Sequence, residues 1–169
     1  MSEPAQAPRA GSLAQHRVGV KVQYIKDLSF EVPGAPEIYV AIRDQPAMAV
    51  KLDVASRPIV GSGKTHEVTL TIRVEATDPN AAASGTTRPR VQFIAELSYA
   101  GLFSVDHIPD DAVEEALLVE CPHILYPFAC NILADMTRDA NFAPLQLRAV
   151  DFVELWQSRR AGGAARGRS

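Results

Sequence analysis

The sequence predicts an α+β subunit: a four-stranded antiparallel sheet, one long kinked helix and a shorter C-terminal helix. Three observations carry this. Four stretches alternate apolar and polar residues, as strands with one buried and one wet face do. The connections between them are rich in Pro, Gly and Asn and show no helical period. Residues 121–134 then form an apolar run without formal charge, flanked by Glu114, Glu115 and Glu120 on one side and Asp135, Arg138 and Asp139 on the other. Its apolar residues repeat at helical spacing. Val113, Leu117, Cys121, Ile124, Phe128, Ile132 and Met136 make one stripe, and Leu118, Leu125, Ala129 and Leu133 a second. A small sheet covers one stripe, so two stripes predict another subunit over the other.

In chain order, residues 1–16 lack periodicity and read as a disordered tail. Residues 17–31 alternate as the first strand, with Val18, Val20, Val22, Tyr24, Leu28 and Phe30 on one face and Lys26 as the exception. Lys21, Gln23, Ile25, Asp27, Ser29 and Glu31 take the other face. Pro33, Gly34 and Pro36 end the strand. Residues 37–47 read as a long connection or a short edge strand, since Asp44 and Pro46 break any long element. Val50, Leu52 and Val54 mark the second strand. Residues 66–77 form the third, and about 90–100 the fourth, with Phe93, Ala95, Leu97 and Tyr99 inward and Gln92, Ile94, Glu96 and Ser98 outward. The long helix starts at Asp110 or Asp111, whose carboxylates suit a helix N-terminus, and runs to about Arg138. Pro122 and Pro127 must kink it, because proline lacks an N–H and crowds the preceding turn. Asp151 caps the last helix. The domain spans 17–158, and 159–169 form a disordered basic tail with Arg159, Arg160, Arg166 and Arg168.

Composition narrows the function. With 169 residues and 47% hydrophobic content, the chain can bury a core of its own. The net charge of −3 includes those tail arginines, so the body is more acidic still and suits a basic protein partner better than nucleic acid. The apolar run is too short and polar to cross a bilayer. No secretory signal opens the chain, which predicts a soluble, cytoplasmic protein. Cys121 and Cys130 read as free buried thiols of a reducing compartment.

The search for chemistry finds little. Gly61-Ser62-Gly63-Lys64-Thr65 is similar to the end of a phosphate-binding loop, but Pro58 stands where the first glycine belongs and a strand follows instead of a helix. His123 with Cys121 and Cys130 has no metal-binding spacing, and His16, His66 and His107 lie apart. No nucleophile elbow occurs. The sequence therefore predicts no enzyme activity, no cofactor and no metal. The informative feature is the wet sheet face, where alternation places Asp27, Glu31, Ile94 and Glu96: an acidic patch around an exposed isoleucine.

Lys26-Asp27-Leu28-Ser29-Phe30-Glu31 with Pro33 and Ala35-Pro36, Phe93-Ile94-Ala95-Glu96-Leu97 leading to Gly101-Leu102-Phe103-Ser104, Cys121-Pro122-His123-Ile124-Leu125-Tyr126-Pro127-Phe128-Ala129, and Asn141-Phe142-Ala143-Pro144-Leu145-Gln146-Leu147 lie in order along the chain. Together they resemble the bacterial protein-export chaperone family SecB, over roughly residues 17–158. The resemblance implies helices packed on one face of the sheet and a homotetramer built as a dimer of dimers. It also implies an ATP-independent holdase that keeps unfolded precursor proteins translocation-competent and delivers them to the SecA motor, without inserting into the membrane. Asp27, Glu31, Ile94 and Glu96 match the family positions that contact SecA. By region, Tyr39, Ile42, Phe103, Leu125 and Tyr126 are candidates for the client groove. Ala95, Leu97, Tyr99, Leu117, Cys121, Ile124 and Phe128 are candidates for subunit packing. His123 stands where the family usually has asparagine. The rival readings are a hotdog-like thioesterase-type enzyme and a SecB-like chaperone dedicated to one client, such as a toxin–antitoxin pair.

Overall fold

The computed structural model describes residues 18–41, 45–79 and 90–166. The predicted tail at 1–16 and candidate Ile42 lie outside the described residues. The strands are β1 (Gly19–Glu31), β2 (Ala47–Pro58), β3 (Thr65–Thr77) and β4 (Val91–Ser104). All pair antiparallel in the order β1-β4-β3-β2, so β1 and β2 are the two edges. A short helix α1 (Ile38–Ala41) occupies part of residues 37–47, where the sequence predicts a long connection or a short edge strand.

Alternation decides which face is buried. Val68, Leu70, Ile72, Val74 and Ala76 of β3 join Phe93, Ala95, Leu97 and Tyr99 of β4 in the core. β4 runs past its predicted end at Ala100, because Gly101 leaves room for Phe103 and Leu125. A Cβ there would lie 2.7 Å from Phe103 and 3.2 Å from Leu125.

β1 departs from simple alternation. Register shifts between Val20 and Val22 and between Ile25 and Asp27 make Lys21 and Lys26 bulge residues. Each bulge inserts one residue and reverses which side chains face the core. Leu28 and Phe30 point inward opposite Leu97 and Ala95, but Tyr24 and Val22, expected on the same face, lie outward opposite Ala100 and Leu102. Lys26, the exception to the pattern, is the bulge itself.

A continuous helical stretch spans Asp110–Asp139, long and apolar enough by length and composition alone to cross a membrane. Here it packs on the sheet. A 3-10 turn (Asp110–Ala112) leads into α2 (Val113–Glu115), a π turn (Ala116–Glu120) and α3 (Cys121–Asp139). The π turn lets the Cys121 N–H reach the Ala116 carbonyl just before Pro122, whose ring would crowd a regular turn. Pro127 lies inside α3 on its exposed side, where solvent can satisfy the His123 carbonyl. Of the two stripes, Leu125, Ala129 and Leu133 are buried against the sheet. Ile124 and Ile132 are partly buried and Phe128 is 48% exposed.

α3 ends in a Schellman turn. Asn141 takes a left-handed φ of 64°, the Phe142 N–H bonds the Thr137 carbonyl, and the Asn141 N–H bonds the Arg138 carbonyl. Phe142 then packs on Phe93 and Phe30, with ring centroids 4.9 and 6.3 Å away. The chain continues extended to Asp151, whose carboxylate caps α4 (Phe152–Arg166) by accepting the Glu154 N–H at 3.0 Å. Helix α4 thus carries residues 159–166, predicted as tail. Phe152 is buried beneath the edges of His123 and Tyr126.

Candidate partner and client surfaces

The outward face of the sheet resolves into rows read from strand register. Glu31, Ile94, Glu75 and Ala49 form one row; Ser29, Glu96, Arg73 and Lys51 the next; Asp27, Ser98, Thr71 and Asp53 a third. Asp27, Glu31, Ile94 and Glu96 therefore occupy adjacent rows of β1 and β4, on the face away from the long helix. Two neighbours change the patch. Glu75 stands beside Ile94 and adds a carboxylate, while Arg73 donates to Glu96 at 2.7 Å with both side chains partly exposed. Such a pair contributes little stability, but it neutralises part of the acid.

Further along the same face lies a cluster the sequence reading missed. Glu67 is only 3% exposed. It accepts hydrogen bonds from Tyr24, from Lys26 at 3.0 Å and from Arg57, joining both edge strands to β3. Tyr24 stands opposite Ala100, whose small outward side chain leaves room for it to reach across β4. Burial pushes the Glu67 carboxyl up, but the hydrogen bonds from Tyr24, Lys26 and Arg57 outweigh it and hold the carboxyl down at about 2. A polar residue amid the alternation of β3 carried no sign that β1 would fold back onto it.

On the helix side, two cavities of about 500 and 640 Å³ adjoin β2 and share Met48, Leu145 and Gln146. The first also touches Val50, Leu52, Tyr126, Leu147 and Val150. The second reaches Gln92, Phe93 and Phe142. Their outer wall is the extended segment after α3, pinned twice: the Leu145 N–H donates to Thr137 Oγ1 at 2.9 Å, and the Tyr126 hydroxyl donates to the Arg148 carbonyl.

The structure separates the groove candidates. Tyr126 lines the first cavity. Tyr39 lies beside the second, its ring tilted against Phe142 (centroids 5.5 Å apart) and its hydroxyl donating to the Ala140 carbonyl at 2.9 Å. Phe103 and Leu125 are wholly buried in the subunit core, facing each other across Gly101, and offer no surface to a client. The packing candidates divide likewise. Ala95, Leu97, Leu117 and Cys121 are buried between sheet and helix, and Tyr99 nearly so, 6.4 Å from Phe128. Ile124 and Phe128 retain accessible surface. Burial also pushes the Cys121 thiol up, away from reactivity. Among the described residues, no group of three or more His, Cys, Asp or Glu could hold a metal.

This is a subunit with an acidic sheet face, an apolar groove and a half-covered helix: the build of a polypeptide-binding protein. The family model for the preprotein translocase subunit SecB matches residues 12–162. The protein-export protein SecB of Acidiphilium cryptum is 53% identical over 146 residues, covering 84% of this chain and 88% of that relative. That of Granulibacter bethesdensis is 51% identical over 142 residues, covering 84% and 81%. The chain belongs to the SecB family. Its fold is shared with a SecB-like chaperone of Mycobacterium tuberculosis, solved in complex with a peptide from an antitoxin, at a TM-score of 0.60 and 14% identity over 79% of this chain and 91% of that one.

Proposed function

We propose that this protein is an ATP-independent export chaperone of the cytoplasm, which holds unfolded precursors in its apolar groove and hands them to SecA through the acidic sheet face. The observation that carries the reading is the division of surfaces. The groove is lined by Met48, Val50, Leu52, Tyr126, Leu147 and Val150, while Asp27, Glu31, Ile94 and Glu96 lie on the opposite side of the sheet. Client and motor can then be bound together. Apolar contact suits a holdase because it is non-directional and scales with buried area, at roughly 25 cal/mol per Å². Several weak grooves on one assembly gain avidity for a long client.

The assembly is a homotetramer, a dimer of dimers. Its support is unused surface: β1 is an open edge with Val20 and Ile25 half exposed, and Phe128 stands out from the helix at 48% exposure, beyond the buried Leu117 and Cys121 of its stripe. The family consists of chaperones, and no cofactor enters the mechanism.

Native mass spectrometry, with and without an unfolded precursor, tests holding and assembly. Four subunits gaining one bound chain is the expected result. A species that ignores the precursor refutes it. Delivery is tested by Asp27→Ala and Glu96→Lys, which should weaken SecA binding and leave precursor binding intact. Equal loss of both would sink the division of surfaces.

A further inference from the structure

Arg159 carries helix α4 round the free edge of β2. One of its nitrogens donates to the Val54 carbonyl, on the strand edge, at 2.9 Å. The other donates to Asp53. Asp53 is an outward residue of β2, in the row that continues through Thr71 and Ser98 to Asp27. The guanidinium therefore lies where the edge opens onto the sheet face away from the long helix.

That face is unevenly charged. Beyond Asp53 lie Glu75 on β3, Glu96 on β4, and Asp27 and Glu31 on β1, and the cations of the same rows are Arg73 and Lys51. Arg73 pairs with Glu96. Among the described residues, no ion pair engages Asp27, Glu31 or Glu75.

The chain after Arg159 has the opposite composition. Its charged residues are Arg160, Arg166 and Arg168, set among Gly, Ala and Ser. Gly162 and Gly163 disfavour helix relative to alanine. A Cβ added at Gly162 would meet nothing within 4 Å, so the helix leans on no neighbour there. The last turns of α4 are held weakly by propensity and by packing, and they unwind at little cost. Reach is sufficient. Strands stand about 4.8 Å apart, which puts β4 about 10 Å and β1 about 14 Å from β2. The seven residues from Ala161 to Arg168, extended, span up to about 23 Å.

We infer that this chain's own basic segment folds back over the β2 edge onto the acidic sheet face, with Arg166 and Arg168 seated on the carboxylates of Asp27, Glu31 and Glu96, so that a basic partner must displace it to dock. This rests on the reading of that face as a docking surface and adds a built-in competitor for it. Exposed ion pairs are weak singly. The tether to Arg159 compensates by holding the arginines at a local concentration of about millimolar. The face is covered most of the time and still yields to a partner with several cations.

A fluorescent pentalysine peptide, titrated into the full-length protein at low ionic strength, tests this. Arg166→Ser with Arg168→Ser should tighten its binding about fourfold, the gain expected if the segment covers three-quarters of the faces. Arg9→Ser with Arg17→Ser removes the same charge from elsewhere and should change the affinity far less. Asp27→Asn with Glu31→Gln should weaken pentalysine, and on that background the Arg166 and Arg168 substitutions should no longer matter. If the Asp27 and Glu31 substitutions leave pentalysine binding unchanged, the docking face itself is wrong. If they weaken it while the Arg166 and Arg168 variant binds like wild type, or while the Arg9 and Arg17 variant gains as much, the face stands and the covering segment is refuted.

Discussion

Replacing Glu67 by glutamine tests how the sheet face is held together. The carboxyl shifts from 4.5 to about 2. Each unit corresponds to about 1.4 kcal/mol, so the ionised side chain contributes at most about 3 kcal/mol at neutral pH. Glutamine keeps an acceptor oxygen and the shape, and Lys26 and Arg57, at 44% and 62% exposure, return to water. The expected cost of Glu67→Gln is therefore about 2 kcal/mol, or a midpoint lowered by roughly 4–8 °C for a domain of this size. Its pH dependence is the sharper readout. The folded value lies below the unfolded one, so the contribution is complete above about pH 5 and fades as pH falls towards 2. Wild type should lose its advantage over the variant across that window. Thermal unfolding at fixed protein concentration, from pH 7 down to 2.5, measures it. A gap of the same size at both ends would refute the charge-based account, and no gap at pH 7 would refute the role of Glu67.

Other substitutions probe the framework. Gly101→Ala should destabilise by about 1–3 kcal/mol, since its Cβ meets Phe103 at 2.7 Å in a full core; denaturant titration reads it. Asn141→Ala should cost about 1 kcal/mol, because alanine resists the left-handed φ of 64°, whereas Asn141→Gly should be neutral or better. Thr137→Val leaves the Leu145 N–H without its acceptor and should cost about 1–3 kcal/mol, with faster exchange of the Leu145 amide. Phe128→Asp, at a 48% exposed position, should leave the subunit folded but lower the assembled mass in sedimentation.

Much of this was legible in the sequence. Period-two alternation located β3 and β4 and placed Ile94 and Glu96 outward, because regular strands keep their parity. It failed in β1, where bulges at Lys21 and Lys26 reverse the faces, a change that depends on the partner strand. Helical spacing found both stripes of the long helix, but burial cuts across them: Leu125, Ala129 and Leu133 of one are covered, and so are Leu117 and Cys121 of the other. Periodicity reports that a side chain is apolar and cannot say whether sheet or subunit covers it, so Leu97 and Cys121 were read as interface though they lie inside. Tyr126 was reachable by resemblance, but Leu147 and Val150 were not, since that groove wall is an extended segment without period.

The two bulges of β1 have a consequence for solubility. An exposed strand of thirteen residues invites any passing strand to pair with it. Each bulge switches the direction of the outward amides, so a regular foreign strand meets matching donors only in short runs before falling out of step. A copy of β1 related by two-fold symmetry carries the same interruptions in reverse order and can compensate for them. The irregular edge thus acts as an address: it discourages indiscriminate fibre-like growth while leaving self-recognition open.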